Sequence, residues 1–265
     1  MSCLLCEGEL EVFYGNLKGN ISAYPGNVYP FNIMKCKNCD LLQKDITKSY
    51  LDFLQDIYCN HYDFFSNEQN SLNDGEVKRG KVVIEAICNL VSKKKVTWLD
   101  YGCGGGNFLR LLSQEKPQWE LYGYDVSLIN SDKFDDLKLK KQIFTNIEDI
   151  KVKFDVISLN MVLEHLHNPQ NILEKLRDKI NNDGYLVVRI PDFKNLPTDF
   201  FIYEHMAHYH KNAIETLMVK SGFIIEQYLD KIPNIELAFI AKKAKKNKKN
   251  IVNLVGGGGF INGKK

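Results

Sequence analysis

Residues 98–112 read WLDYGCGGGNFLRLL. The apolar pair Trp98 and Leu99 ends in Asp100, and glycines occupy positions 102, 104, 105 and 106. Phe108, Leu109, Leu111 and Leu112 then recur at helical spacing. Glycines packed this closely let the backbone turn tightly and let a ligand approach without meeting a Cβ. A strand that passes through such a turn into a helix places its ligand at the carboxyl edge of a parallel sheet. A dinucleotide fingerprint would read G-x-G-x-x-G. Counted from Gly102 the third glycine falls on Asn107, and counted from Gly104 it falls on Leu109. The pattern present is instead Asp100-x-Gly102-x-Gly104-x-Gly106.

Working outward, strand and helix patterns alternate. Residues 76–95 carry a helix face at Val77, Val83, Ile84, Ile87, Leu90 and Val91, on which Cys88 reads as a core residue. Strands are expected at WELYGYDVS, KQIFTNI, FDVISLNMV and YLVVRIP, the last preceded by a turn at NNDG. NPQNILEKLRDKI reads as a helix with Pro in its first turn, and AIETLMVKSG as a helix closed by Gly222. FIIEQYLD and ELAFIAKK are the final strands. This alternation argues for an α/β fold whose mostly parallel sheet is covered on both faces.

With 265 residues and 44% apolar content, the chain has room for one sizeable domain and a small appendage. Residues 241–265 hold eight lysines and no acids, so the rest of the chain is net acidic. That distribution gives little reason to expect a nucleic-acid partner. The lysines of 242–249 lack interleaved aromatics, and the tail reads as a solvated, disordered end. No run reaches the roughly 18 apolar residues of a membrane span. The N-terminus MSCLLCEGEL lacks the basic and apolar regions of a signal peptide. A cytoplasmic location is expected, where the seven cysteines read as metal ligands or free thiols.

The acid with alternating glycines after the first strand, and GYDVS at the end of the second, resemble the class I S-adenosylmethionine-dependent methyltransferases. FDVISLNMVLEHLHNP and NNDGYLVVRIPD are similar to that family's fourth and fifth strands, and the resemblance covers about residues 80–240. It implies a Rossmann-like fold with a seven-stranded, mostly parallel sheet and S-adenosyl-L-methionine as cofactor. It implies contacts from Asp100, Gly102, Gly104, Gly106, Asp125, Val126, Asn146, Ile147 and Asn160. Asp125 follows the glycines by about 20 residues, where a carboxylate can accept both ribose hydroxyls.

Cys3-x2-Cys6 and Cys36-x2-Cys39 are two pairs separated by 29 residues. Two such pairs can close a tetrahedral four-thiolate shell around Zn2+. A full shell is structural rather than catalytic. YPFNIMKCKNCDLLQ resembles the zinc-binding module that precedes the methyltransferase domain in deoxysugar C-methyltransferases. The expected organisation is a zinc-binding module at 1–45, a connecting or lid segment at 46–80, the methyltransferase domain at 81–242 and the basic tail at 243–265.

Methyl transfer to a hydroxyl requires orientation of the acceptor and removal of its proton. Two histidine clusters stand where loops leave the fourth and fifth strands: Glu164, His165 and His167, and then Tyr203, Glu204, His205, His208, Tyr209 and His210. The expected catalytic residues are His205 as general base, with Glu204, Tyr203 and His165. The second cluster resembles the Tyr-His-Glu-His stretch of the sugar C-methyltransferases. It departs from that stretch at Ile202 and Tyr203, which shifts the expectation from carbon to oxygen methylation. The resemblance implies a small-molecule acceptor such as a nucleotide-linked sugar of surface-polysaccharide biosynthesis. Rival readings are another phosphorylated metabolite or nitrogen acceptor, RNA modification through the tail, and a non-catalytic domain.

Overall fold

The computed structural model describes residues 2–18, 30–58, 73–127 and 143–244. Two sheets organise the chain. The smaller is antiparallel and contains β1 (Leu10–Lys18), β2 (Pro30–Cys36), β3 (Leu42–Lys44) and β9 (Ala207–His208), in that order. The larger contains β4 (Thr97–Tyr101), β5 (Glu120–Tyr124), β6 (Ile143–Phe144), β7 (Phe154–Asn160), β8 (Ile180–Pro191), β10 (Phe223–Tyr228) and β11 (Glu236–Lys243). Its spatial order is β10-β11-β8-β7-β4-β5-β6, with β11 antiparallel to both neighbours and the other pairings parallel. This is the seven-stranded, mostly parallel sheet expected from the resemblance.

The helices are α1 (Lys48–Asp56), α2 (Asp74–Leu90), α3 (Asn107–Glu115), α4 (Pro169–Lys179) and α5 (Lys211–Lys220). β4, β7 and β8 are buried almost throughout, as strands covered on both faces must be. Core residues on α2 and α3 close one face, and those on α4 and α5 the other. At Gly80 of α2 an added Cβ would stand 2.4 Å from Leu111 of α3, so the two helices approach at a point that admits no side chain. A third core lies under the small sheet, where Phe31, Ile33, Tyr50 and Leu54 meet Phe200 and Tyr203.

Two expectations change. The turn at NNDG lies inside β8, whose pairing with β7 passes from Phe154–Ile180 to Val156–Tyr185. Residues 181–184 are therefore an excursion within a strand that begins earlier than its apolar run. Cys88 is exposed, because Val83, Ile84, Ala86 and Ile87 occupy the buried face of α2. The cysteine-bearing segment packs beside the later chain, since its sheet takes β9 from the chain after β8. The tail at 245–265 lies outside the described residues. No described helix is long and apolar enough to cross a membrane.

β4 is the point from which the chain moves first to β5 and β6 on one side and then to β7 and β8 on the other. Crevices at such reversals, beyond the carboxyl ends of the strands, are where open α/β sheets bind ligands.

Candidate active site

Asp100, Asp125 and Asn160 come together at that crevice. Asp100 is 3% exposed, and its Oδ1 accepts from Ser158 Oγ at 2.7 Å and from Asn160 Nδ2 at 2.9 Å. Ser158 in turn accepts from the Trp98 indole at 2.8 Å. Burial pushes the Asp100 carboxyl up to about 7. Asn160 Oδ1, on the other side of that amide, is buried and has no hydrogen-bond partner among the described residues. Asp125 accepts from the backbone N–H of Gly104 at 2.8 Å and of Ser127 at 3.1 Å, which clips the glycine turn to the end of β5. Its carboxyl is raised above the ordinary value by burial.

Gly102 takes φ +78°, and an added Cβ would lie 2.5 Å from Val162. Any side chain there would have to displace the loop after β7 while sitting in a left-handed conformation. The site therefore has a backbone cradle, a carboxylate behind it and an orphaned amide oxygen at its flank. These features fit the ribose and ammonium groups of S-adenosylmethionine.

A cavity of about 390 Å³ opens over the turn. One wall carries Gly102, Asp125 and Val126 with Tyr101 and Tyr124, whose rings stack at 4.3 Å. The opposite wall carries His165, Glu204 and His205 with Ile202 and Tyr58. The two histidine clusters, forty residues apart in sequence, thus converge on one chamber.

A carboxylate that sequence reasoning did not single out holds this wall in place. Asp199, 1% exposed in a short 3-10 helix (Pro197–Phe201), accepts from His205 Nδ1 at 2.5 Å and from His208 Nδ1 at 2.6 Å. Burial opposes its charge, but the bonds from His205 and His208 outweigh burial and keep the carboxyl well below the usual range. An ionised acceptor on Nδ1 leaves the lone pair of His205 on Nε2. His165 donates from Nδ1 to the Glu204 carbonyl at 3.2 Å, has the Tyr58 hydroxyl 3.1 Å from the same nitrogen, and packs edge-on against the His205 ring at 4.6 Å. Burial brings the His165 imidazole down to about 3. Glu164 is 1% exposed and its Oε1 lies 4.0 Å from His205 Nε2. Neither carboxylate oxygen of Glu164 or Glu204 has a hydrogen-bond partner. Burial raises both groups, Glu164 to about 7.

The four paired cysteines also converge. Sγ of Cys3 is 3.5 Å from that of Cys39, and Sγ of Cys6 is 3.4 Å from Cys36 and 3.5 Å from Cys39. All four sulfurs lie within 4.8 Å of one another. Leu5 N and Asn38 N donate to the sulfurs of Cys3 and Cys36 at 3.4 Å, as backbone amides that support a thiolate do. The Cys39 thiol's bond brings Cys3 down to about 5 while Cys39 itself rises. Four thiols so placed can hold a tetrahedral metal.

The sheet that carries Cys36 is joined to the His205 segment by Lys44 of β3. The side chain is fully buried, and its Nζ donates to the carbonyls of Ile202 at 2.5 Å and His205 at 2.7 Å. Burial brings its ammonium down to about 7.

The cavity wall therefore includes Gly102, Asp125, Val126, His165, Glu204 and His205, whereas Asp100, Gly104, Gly106 and Asn160 support the turn and the strand ends. Tyr203 does not reach the chamber. Its ring packs against Phe31, Tyr50 and Phe53 in the third core, and its carbonyl accepts from the Tyr50 hydroxyl. Asn146 caps a short 3-10 helix through Glu148 N, and Ile147 is buried in the main core, so neither lines the cavity. His210 caps α5 by accepting from Ala213 N. Asp199 and Lys44 were missed because a lone acid in NLPTDFF and a lysine closing a short strand both read as solvated. The only hint was an acid six and nine residues ahead of two histidines.

The sequence of residues 51–228 matches the family model described as Methyltransferase domain. Comparison with curated proteins gives no significant match. An S-adenosylmethionine-dependent methyltransferase from Clostridium acetobutylicum ATCC 824 superposes with a TM-score of 0.53 at 15% identity, covering 75% of this chain and all of that one. The plantazolicin methyltransferase BpumL in complex with SAH superposes at 0.53 with 18% identity, covering 69% and 88%. The pyocyanin biosynthetic protein PhzM superposes at 0.51 with 18% identity over 62% of this chain, which spans 55% of PhzM's length. With the glycine cradle, the strand order and the family match in agreement, the chain belongs to the methyltransferase-domain family and has the fold of S-adenosylmethionine-dependent methyltransferases.

Proposed function

We propose that the protein transfers the methyl group of S-adenosylmethionine to a hydroxyl of a small acceptor, with a nucleotide-linked sugar or related surface-polysaccharide precursor as the preferred class, in the cytoplasm. The observation that carries this reading is the single chamber with a nucleoside cradle on one wall and the Asp199–His205 pair on the other. When bound, S-adenosylmethionine supplies an electrophilic sulfonium methyl. Gly102 and Asp125 would hold its nucleoside, and the free Asn160 Oδ1 would accept from its ammonium. The stacked Tyr101 and Tyr124 with Val162 and Ile202 give the chamber an apolar lining beside the glycine turn. His205, with Nδ1 committed to Asp199, presents a lone pair for the acceptor's proton. The unpartnered carboxylate of Glu204 can accept from neighbouring hydroxyls, which suits a polyhydroxylated acceptor. Ile202, placed on the wall, and Tyr203, withdrawn into the core, support oxygen over carbon methylation, because neither supplies a hydroxyl at the position where the sugar C-methyltransferase stretch carries its tyrosine.

Cys3, Cys6, Cys36 and Cys39 would hold a structural Zn2+. Its role would be to fix β2 and β3, and through Lys44 and β9 the segment that carries His205. The test is release of S-adenosylhomocysteine with a panel of sugar nucleotides. Turnover that is lost in His205→Ala, with cofactor binding retained, supports the reading. Turnover unchanged by that substitution removes His205 from the mechanism.

A further inference from the structure

Glu164, His165 and His205 each offer a ligand atom, and those atoms lie within 4.8 Å of one another. Both imidazoles are held at Nδ1, one by the Asp199 carboxylate and the other by the Glu204 carbonyl, to which it donates, with the Tyr58 hydroxyl 3.1 Å from the same nitrogen. That leaves both Nε2 lone pairs free to point at a common centre. Metal-bound histidines are oriented in this way, with the second ring nitrogen donating to a carboxylate or a backbone carbonyl. The third donor is more telling. Glu164 is 1% exposed and both its oxygens lack a partner. An isolated buried carboxylate is costly unless something positive reaches it. The buried Lys44 spends its ammonium on the Ile202 and His205 carbonyls, and the buried Arg189 is paired with Glu76 and Glu236.

We propose that Glu164, His165 and His205 form a divalent-cation site at the head of the acceptor chamber, of the two-histidine, one-carboxylate kind that takes Mn2+ or Fe2+. Imidazole and carboxylate donors on one side of an ion leave its other positions open to an acceptor oxygen. The four-sulfur cluster would not compete for Mn2+, because thiolates select softer ions.

The inference rests on the proposed methyl transfer and refines it. With a cation on Nε2, His205 acts as a ligand and not as the base. The acceptor hydroxyl then binds the ion, which lowers the pKa of the bound oxygen. Its proton passes to the carboxylate of Glu204, and the electron pair of the broken O–H bond stays on oxygen. That pair forms the O–CH3 bond, while the C–S bond breaks with its electrons going to sulfur.

The experiment uses the purified full chain, stripped of loosely bound metal and titrated with Mn2+ alone. Electron paramagnetic resonance follows free Mn2+, and calorimetry with S-adenosylhomocysteine is run on the same sample. The wild type should bind about one Mn2+, and Glu164→Gln should weaken that binding at least about tenfold while retaining S-adenosylhomocysteine. His165→Asn should do the same, and it serves where Glu164→Gln fails to fold. Absence of Mn2+ binding in a wild type that binds S-adenosylhomocysteine overturns the cation site and leaves the methyltransferase reading standing. Binding unchanged in the variants overturns it as well. A wild type that binds neither overturns both.

Discussion

Asp199→Asn is the most discriminating single substitution, because one carboxylate orients two histidines. The wild-type carboxylate accepts from His205 Nδ1 and His208 Nδ1 at 2.5 and 2.6 Å. Asparagine offers one carbonyl oxygen and one N–H donor. It can satisfy one ring as before, but it presents a donor to the other, which must move its proton to Nε2. Each lost charge-assisted bond removes about 1.5–3 kcal/mol, partly recovered as a neutral bond, so a net loss near 2 kcal/mol is expected. For a chain of this size that corresponds to a fall in Tm of roughly 4–8 °C. Catalysis should suffer more, because a proton on His205 Nε2 removes the lone pair the chamber depends on. A fall in kcat of about 10²-fold or more is expected, with the S-adenosylhomocysteine Kd little changed. Nitrogen-15 NMR of the histidine rings reads the tautomer directly, independent of any acceptor. In the wild type His205 Nε2 should appear unprotonated. An unaltered ring spectrum with kcat within a few-fold of wild type would refute the orienting role. A loss of kcat matched by an equal loss of cofactor binding would show unfolding instead.

Two other outcomes follow from the same geometry. His208 is fully buried, and burial brings its imidazole down to about 4, so it stays neutral in the fold while the unfolded chain takes up a proton near 6.5. The contribution of His208 itself should thus be flat above pH 6.5 and fall by about 3 kcal/mol as pH drops from 6.5 to 4; the Asp100 and Glu164 carboxyls, raised to about 7, act in the opposite sense over that range, so the contribution is read as the difference between the wild type and His208→Asn. Asp199 is depressed, so its contribution is present above about 3.9 and is lost only below that value. Urea midpoints of both proteins between pH 4 and 8 measure the first window, and a wild-type advantage over His208→Asn that holds or rises on acidification would contradict it. Cys36→Ser should release zinc and loosen β2 and β3, and with them Lys44 and β9. The prediction is a drop in kcat of at least about tenfold with cofactor affinity retained, read from paired kinetics and calorimetry. Equal losses in both would place the cysteine cluster outside the acceptor wall.

The glycine turn was legible because its spacing serves backbone geometry, which sequence states directly. The strand alternation and the cysteine pairs were legible for related reasons: periodicity follows burial, and four thiols within two short motifs have few other uses. What escaped was the polar interior. Lys44 looks like a surface residue and is buried only because β9 closes over it. β9 itself is two residues long and has no periodicity to read. Tyr203 sits beside two catalytic candidates, but the short helix at 197–201 turns its ring into the aromatic core and sends Ile202, Glu204 and His205 to the chamber. Asn146 caps a short 3-10 helix and Ile147 packs in the main core, roles that use the same residue types as an adenine flank and that spacing alone does not separate.

The central claim is that the turn at 102–106 with Asp125 forms a cradle for S-adenosylmethionine. The direct measurement is calorimetric titration of S-adenosylhomocysteine into the wild type, Asp125→Ala and Gly102→Ala. Micromolar binding by the wild type is expected, weakened at least about tenfold in each variant, since one lacks the ribose acceptor and the other pushes a methyl into Val162. Absence of binding by the folded wild type, or equal binding by all three, would contradict the account.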